Sequence, residues 1–177
     1  MIFSETKLSG AYVINIEKKE DERGFFARIL DKDEFSKIGL ESEFIQSSIS
    51  FNKKRGTLRG MHYQIEPYEE SKFVRCTQGK IFDVIVDLRK NSKTFKKWIS
   101  LELSSLNHKI LYIPKGFAHG FQTLEDNTEV NYDITQVFSP KYSRGITWND
   151  STFKIKWPLD ITLISKKDKE YKPFLEN

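Results

Sequence analysis

The sequence is short of cysteine, of long apolar runs and of long basic runs, and each shortage excludes a class of protein. Cys76 is the one cysteine in 177 residues, which excludes internal disulfides and cysteine-rich zinc sites. No apolar run approaches the roughly 20 residues of a membrane span, and no basic run is long enough to indicate nucleic-acid binding. The first residues lack the layout of a signal peptide, so we expect a cytoplasmic protein with neither membrane nor nucleic acid as partner.

The composition is that of a globular protein. Aromatic residues make up 14% of the chain, charged residues 31%, and the formal net charge is +4, a balance that favours a packed core over disorder. Lys and Glu interleave along the chain, so the positive excess indicates solubility with a mild bias towards anionic small molecules. The length suits one domain, and no repeat or linker divides it. We therefore predict a single domain over residues 1–177.

Local patterns predict many short strands and little helix. One short helix is predicted over residues 31–39, where Asp31 could cap the first turn and Gly39 could end the last. The main predicted strands cover residues 11–16, 25–30, 72–77, 80–88, 98–103, 109–113 and 128–137, and Gln78-Gly79 is interpreted as the turn of a hairpin. Short strands with regular turns predict an all-β, antiparallel sandwich or barrel.

The chemistry-bearing residues concentrate in one stretch, residues 56–64, which reads GTLRGMHYQ. As a regular strand it would place Arg59 and His62 on opposite faces, and Gly60 would let another group approach the backbone. Arginine grips phosphate bidentately, and histidine moves protons near neutral pH. A core histidine beside a surface arginine is the alternative interpretation.

A second motif, PKGFAHG at residues 114–120, contains a Pro-x-Gly-x-x-His turn whose histidine is His119. It resembles the second half of the cupin signature, which belongs to a small jelly-roll barrel. Metal-binding cupins supply His-x-His and a glutamate in the first half, where this chain has His62-Tyr63-Gln64. Two histidines with no cysteine placed to help make a poor transition-metal site. We therefore predict a cupin-type jelly-roll barrel with a short helix or two and no metal.

A closer resemblance covers nearly the whole chain. Its motifs are DERGFF (21–26), GTLRGMHYQ (56–64), Lys72 with Val74-Arg75, DVIVDLR (83–89), PKGFAHGF (114–121), Tyr132, WND (148–150), Trp157-Pro158 and SKKD (165–168). Together they resemble the dTDP-4-dehydrorhamnose 3,5-epimerase family of sugar-nucleotide epimerases. The pairing of Leu-Arg-Gly-x-His-Tyr-Gln with Gly-Phe-Ala-His-Gly-Phe is the most specific part.

The resemblance implies an isomerase that needs no cofactor. The reaction is epimerisation at C3, C5 or both of a nucleotide-diphosphate 4-keto-6-deoxy sugar, by default dTDP-4-dehydro-6-deoxyglucose in dTDP-rhamnose-type surface polysaccharide biosynthesis. The C4 ketone acidifies the hydrogens on C3 and C5 because the carbanion left behind is an enolate. Such a reaction needs a base, positive charge near the ketone oxygen and an acid on the opposite face.

The family pattern also assigns the catalytic residues. His62 is the base, Asp168 orients it, Lys72 stabilises the enolate and Tyr132 returns the proton from the other side. Lys72 shares a strand face with apolar residues, which predicts that it points inward. A solvated lysine at a hairpin end and a core tyrosine are the structural alternatives.

The implied substrate-binding residues are spread along the chain. Arg23 and Arg59 match the family's diphosphate clamp, and His119 matches a position that contacts the substrate and the enolate oxygen. The full implied set is Arg23, Phe26, Gln46, Ser48, Arg59, His119, Phe138 and Lys167. Family members are homodimers in which N-terminal strands reach into the partner's sheet, which implies that Arg23 and Phe26 serve the neighbouring site.

Several binding positions depart from the family pattern. The chain has Ser47-Ser48 for Asp-Asn, Arg28 for Glu, Glu70 for Gln, Ser143 for Glu and Phe138 for Tyr. These changes leave open a GDP- or CDP-linked sugar, including a heptose. Two other classes are a metal-dependent cupin oxygenase, disfavoured by Gln64, and a non-catalytic sugar-binding jelly roll, disfavoured by the complete catalytic set.

Overall fold

The structure is a computed structural model that describes residues 1–175; the last two residues of the predicted domain lie outside the described residues. The strands are β1 (Ile2–Glu5), β2 (Tyr12–Asn15), β3 (Lys19–Asp21), β4 (Gly24–Phe26), β5 (Gln46–Asn52), β6 (Thr57–Gln64), β7 (Lys72–Gln78), β8 (Lys80–Asp87), β9 (Trp98–Ser104), β10 (Ile110–Ile113), β11 (Phe117–Thr123), β12 (Thr128–Ile134), β13 (Ser143–Gly145) and β14 (Leu163–Ile164). The helices are α1 (Lys32–Lys37) and α2 (Lys166–Glu170).

Two large sheets carry most of these strands. The first has the order β1-β2-β10-β7-β12-β5, and the second has the order β13-β6-β11-β8-β9 with β14 added beside β6. Within residues 1–175 the strands pair antiparallel, except that β14 runs parallel to β6. From β5 to β13 the chain passes back and forth between the two sheets, except that β8 and β9 are neighbours in the second sheet. This is the manner of a jelly roll, which confirms the predicted all-β, cupin-type fold.

The main core lies between the two sheets. Val74 of β7 and Ile85 of β8 are fully buried in it, together with Phe121 of β11. Neighbouring residues on the same strands point the other way, because side chains alternate along a strand. Thus Phe73 packs against α1 outside the first sheet, and Val84 packs under the C-terminal segment outside the second. Burial on both faces explains the continuous apolar run Val84-Ile85-Val86 in β8.

The predicted hairpin at Gln78-Gly79 is wrong. β7 pairs with β10 and β12 in the first sheet, whereas β8 pairs with β9 and β11 in the second. The turn at Gly79, with φ of 74°, carries the chain from one sheet to the other. The local pattern of strand, turn and strand is the same for a hairpin and for this crossover, so the pattern could not distinguish them.

The first helix follows its prediction and the second was missed. Asp31 caps α1 by accepting from the backbone N–H groups of Asp33 and Glu34. Residues 166–170, for which the sequence predicts no helix, form α2 with Ser165 as its cap and Asp168 buried. Two further strand predictions were too long: residues 25–30 are strand only to Phe26, and residues 128–137 only to Ile134.

No helix within residues 1–175 has the length and apolar character needed to cross a membrane.

Candidate active site

A cavity of about 670 Å³ is lined by all four predicted catalytic residues. His62 comes from β6, Lys72 from β7 and Tyr132 from β12, while Asp168 comes from α2. β6 belongs to the second sheet, and β7 and β12 belong to the first. The fold therefore places His62 and Tyr132 on opposing walls of one cavity.

A bulge in β6 corrects the predicted alternation of Arg59 and His62. Opposite β11, His62 pairs with His119 and Arg59 pairs with Phe121, so three steps along β6 match two along β11. The extra residue resets the alternation, and both side chains line the same cavity. An isolated glycine in a strand is the sequence signal for such a bulge.

Gly60 is required at this bulge by the close approach of β11. Its φ is +129°, and a Cβ placed on it would lie 2.5 Å from the Cα of Gly120. The group that the sequence predicted to come near this glycine is therefore the backbone of the neighbouring strand.

His62 and Asp168 form a hydrogen-bonded pair. His62 Nε2 lies 2.7 Å from Asp168 Oδ1, and the backbone N–H of Gly60 donates to Oδ2 over 3.2 Å. An ionised carboxylate only accepts hydrogen bonds, so Nε2 carries the hydrogen and Nδ1 holds the free lone pair. The sequence could not show this contact between residues 106 positions apart; α2 creates it.

Asp168 stays ionised although it is buried. Burial would by itself raise the pKa of its carboxyl, but the hydrogen bond and positive charge of His62 and the N–H of Gly60 hold that pKa below its ordinary value. A fixed negative charge at Asp168 favours the imidazolium that forms when His62 accepts a proton.

A second histidine–carboxylate pair lies beside the first. His119 Nε2 is 2.9 Å from Asp83 Oδ2, and both side chains are buried. Sequence reasoning gave Asp83 no role, although a carboxylate in the middle of an apolar strand is a signal that it has a partner. Because His119 pairs with His62 in the strand register, the two imidazoles share one wall of the cavity.

Tyr132 faces these histidines from the other sheet. Its ring meets that of His119 edge to face, with centroids 5.9 Å apart. Burial, and then the negative charge of Asp83, raise the pKa of the Tyr132 phenol above its ordinary value. The phenol therefore remains protonated through the neutral range and can act as a proton donor.

Lys72 points into the cavity, as predicted, and is held by two acceptors. Nζ lies 3.1 Å from Glu70 Oε1 and donates to the backbone carbonyl of His62 over 3.3 Å. The ammonium is therefore fixed beside the strand that carries the base.

The implied binding residues divide into three groups. Arg59, His119, Ser48, Phe138 and Lys167 line the cavity. Gln46 lies just outside it and accepts a hydrogen bond from the backbone N–H of Phe138 over 2.8 Å, so it positions that loop. Arg23 and Phe26 lie on the separate β3–β4 hairpin, where the Arg23 side chain is 89% exposed and Phe26 is 69% exposed; within one chain they do not line the cavity.

Gln64 stands at the position where a cupin metal ligand would be expected, but it makes hydrogen bonds to the backbone of a neighbouring loop. Its amide donates to the carbonyls of Tyr68 and Val137 and accepts from the N–H of Ser139. These bonds fix the loop that carries Phe138. Residues 1–175 hold no group of three or more His, Cys, Asp or Glu arranged to bind a metal.

Fold and site together define a class: a jelly-roll protein in which a histidine–carboxylate pair and a buried tyrosine line one cavity. The family model for dTDP-4-dehydrorhamnose 3,5-epimerase matches residues 5–176. A curated protein of that name from Methanothermobacter thermautotrophicus is 44% identical over 99% of this chain and 95% of its own length. One from Shigella flexneri is 45% identical over 88% of this chain and 86% of its own.

Solved structures agree with these sequence matches. A dTDP-4-dehydrorhamnose 3,5-epimerase from Bacillus anthracis, solved with TDP and PPi bound, superposes with a TM-score of 0.94 at 38% identity and covers 98% of this chain and 99% of its own. A dTDP-6-deoxy-D-glucose-3,5-epimerase from Legionella pneumophila, in complex with dTDP-4-keto-L-rhamnose, superposes with a TM-score of 0.90 at 34% identity and covers 97% of this chain and 92% of its own. The chain belongs to the dTDP-4-dehydrorhamnose 3,5-epimerase family, which is a family of isomerases.

Proposed function

We propose that the protein inverts C3 and C5 of dTDP-4-dehydro-6-deoxyglucose through enolate intermediates, as a step towards dTDP-rhamnose. The observation that carries the proposal is the placement of the His62–Asp168 pair and the Tyr132 phenol on opposing sheets across one cavity. Inversion requires removal of a proton from one face of the sugar and its return to the other. A base and an acid on opposing walls supply both steps.

His62 Nδ1 takes the proton from carbon, and the electron pair of the broken C–H bond moves into the enolate. The resulting imidazolium is stabilised by Asp168. Lys72 and His119 lie near the reacting centre and stabilise the negative oxygen at C4. Tyr132 then donates its proton to the opposite face of the same carbon.

The nucleotide end of the substrate is held by the remaining cavity residues. Arg59 has a guanidinium suited to the diphosphate, and its Nε donates a hydrogen bond to the side-chain Oδ1 of Asn52 over 2.7 Å. Phe138 is 58% exposed and offers a face for stacking on the base. The relatives described above are named for the dTDP sugar, which favours thymidine over the GDP and CDP alternatives.

The protein is proposed to work as a homodimer. β5 is an edge strand of the first sheet and exposes Ile49 by 65% and Phe51 by 47%, which makes it a surface that favours pairing with another chain. Arg23 and Phe26 are exposed on a hairpin of their own, as expected if they complete the site of the partner.

Mixed dimers test this arrangement. Arg23→Ala and His62→Asn each weaken a different component of the site. If Arg23 serves the neighbour, refolding the two variants together creates one site with both residues intact, and activity rises above that of either variant alone. If the co-refolded mixture is no more active than the two variants measured separately and added together, Arg23 does not serve the neighbouring site.

The reaction itself is tested by incubating the purified protein with dTDP-4-dehydro-6-deoxyglucose and following C3 and C5 configuration by NMR. Inversion at both carbons is expected, with the same rate after treatment with a chelator. Calorimetry with dTDP, GDP and CDP under one set of conditions tests the carrier. Affinity for dTDP less than about tenfold above the others, or about 1.4 kcal/mol, would argue against thymidine selection.

A further inference from the structure

Glu70 is a buried acid in the cavity that the reaction described above does not use. Its side chain is only 6% exposed, and it lines the cavity together with His62 and Lys72. A buried carboxylate is expected to have partners for both oxygens. Here only one oxygen has a partner.

The two oxygens of Glu70 differ in their surroundings. Oε1 lies 3.1 Å from Lys72 Nζ, whereas Oε2 is buried without a hydrogen-bond partner among residues 1–175. Leaving a buried acceptor unpaired costs free energy, and a ligand that donates to it recovers that cost once the Glu70 carboxyl group turns to present this oxygen to the cavity that it lines. The carboxylate repels a diphosphate, but it accepts a hydrogen bond from a hydroxyl. This part of the cavity therefore suits the sugar.

We propose that Glu70 is a substrate-binding residue whose Oε2 accepts a hydrogen bond from the C3 hydroxyl of the sugar. The inference rests on the proposed function, because it uses the position of the ketone. Lys72 faces the C4 oxygen in that scheme, and Glu70 contacts the same ammonium. Of the two carbons beside the ketone, C5 carries the ring oxygen and a methyl group, so only C3 offers a hydroxyl.

This contact makes Glu70 a determinant of sugar specificity. A site built to pair with a hydroxyl rejects an analogue that lacks it, because the polar group of the protein is then left without a partner. The protein should therefore discriminate against a 4-keto sugar that is deoxygenated at C3. Discrimination should disappear when the carboxylate is removed.

The test measures affinity for the dTDP-4-keto sugar and for its 3-deoxy analogue, in a His62→Asn background that prevents turnover. With Glu70 present, the parent sugar should bind about tenfold more tightly, equivalent to about 1.4 kcal/mol. With Glu70→Ala added, the affinities for the two sugars should differ by no more than about twofold, which is the margin within which independent effects usually add. Glu69→Gln, which removes a neighbouring charge outside the cavity lining, should keep the full ratio.

Affinity for dTDP alone and thermal melting show whether each variant is folded. If the alanine variant does not fold, Glu70→Met fills the volume without polar atoms and takes its place. An unchanged ratio without Glu70, or no discrimination in its presence, overturns the inference. Neither result touches the proposed function, which fails separately if the protein with His62 intact does not exchange hydrogen at C3 and C5.

Discussion

Asp168→Asn tests the link between α2 and the base most sharply. The substitution keeps the size of the side chain and removes its charge. The 2.7 Å contact with His62 Nε2 then joins a neutral amide to the imidazole, and the imidazolium that forms during proton abstraction loses its counter-charge. A hydrogen bond to a charged group contributes about 1.5–3 kcal/mol, and the 40% exposure of the His62 side chain places the effect towards the lower end of that range.

The expected loss is therefore about 10- to 30-fold in the rate of hydrogen exchange at C3 and C5. The assay is deuterium incorporation into dTDP-4-dehydro-6-deoxyglucose, followed by NMR at a saturating sugar concentration. The control is Asp133→Asn, because Asp133 lies next to Tyr132 in β12 but bonds to Ser47 and does not line the cavity. Near-normal exchange in Asp168→Asn, with the control also normal, would refute the reasoning.

The same variant has a pH signature in stability. The folded pKa of Asp168 lies below its ordinary value, which is near 3.9 for an unfolded chain. Its ionised form therefore stabilises the fold above that pH, and the contribution is lost as the pH falls through the folded pKa. Acid unfolding below about pH 4 should consequently be less steep in Asp168→Asn. If the unmodified protein and Asp168→Asn unfolded identically as the pH falls, the His62–Asp168 pair would not contribute to the stability of the fold.

Four further predictions concern the base, the acid, metal and the bulge. His62→Asn should lower exchange by about 10²–10⁴-fold with dTDP affinity retained by calorimetry; near-normal exchange would remove His62 from its role. Tyr132→Phe should keep exchange while losing inversion, since a proton returned to the original face regenerates the starting sugar; equal loss of both would argue against a role limited to reprotonation. Chelation should leave turnover unchanged, and a stoichiometric transition metal whose removal stops it would contradict metal independence. Gly60→Ala should destabilise the protein by at least about 2 kcal/mol, from the unfavourable φ and the clash with Gly120, and a wild-type melting temperature would contradict that close contact.

Much of the site could be predicted because the motifs that carry the family resemblance are short stretches that can be recognised in order along the chain. The alternation of Lys72 with Val74 and Cys76 indicated an inward lysine, and the structure places it there. Motif order identified the family, and the comparisons confirm it. The roles of the individual residues remain predictions, as do the single domain and the homodimer.

What the sequence could not provide was the long-range pairing of strands and the exceptions to regular periodicity. The crossover at Gly79 resembles a hairpin in sequence because the strands on either side of the turn have the lengths that a hairpin would have. A hairpin and a crossover differ only in which strands β7 and β8 pair with. The bulge at Gly60 reversed the faces of every later residue in β6. No helix was predicted around Asp168 because the five-residue helix that buries it is too short to show a helical period.

The most direct test of the central claim is hydrogen exchange by the unmodified protein in deuterated water. The substrate is dTDP-4-dehydro-6-deoxyglucose, no metal is added, and deuterium at C3 and C5 is read by NMR alongside the His62→Asn variant. A histidine base and a tyrosine acid on opposing walls predict deuterium at both carbons with inversion, and loss of both in the variant. Inversion without deuterium incorporation, or exchange that survives in His62→Asn, would contradict this account.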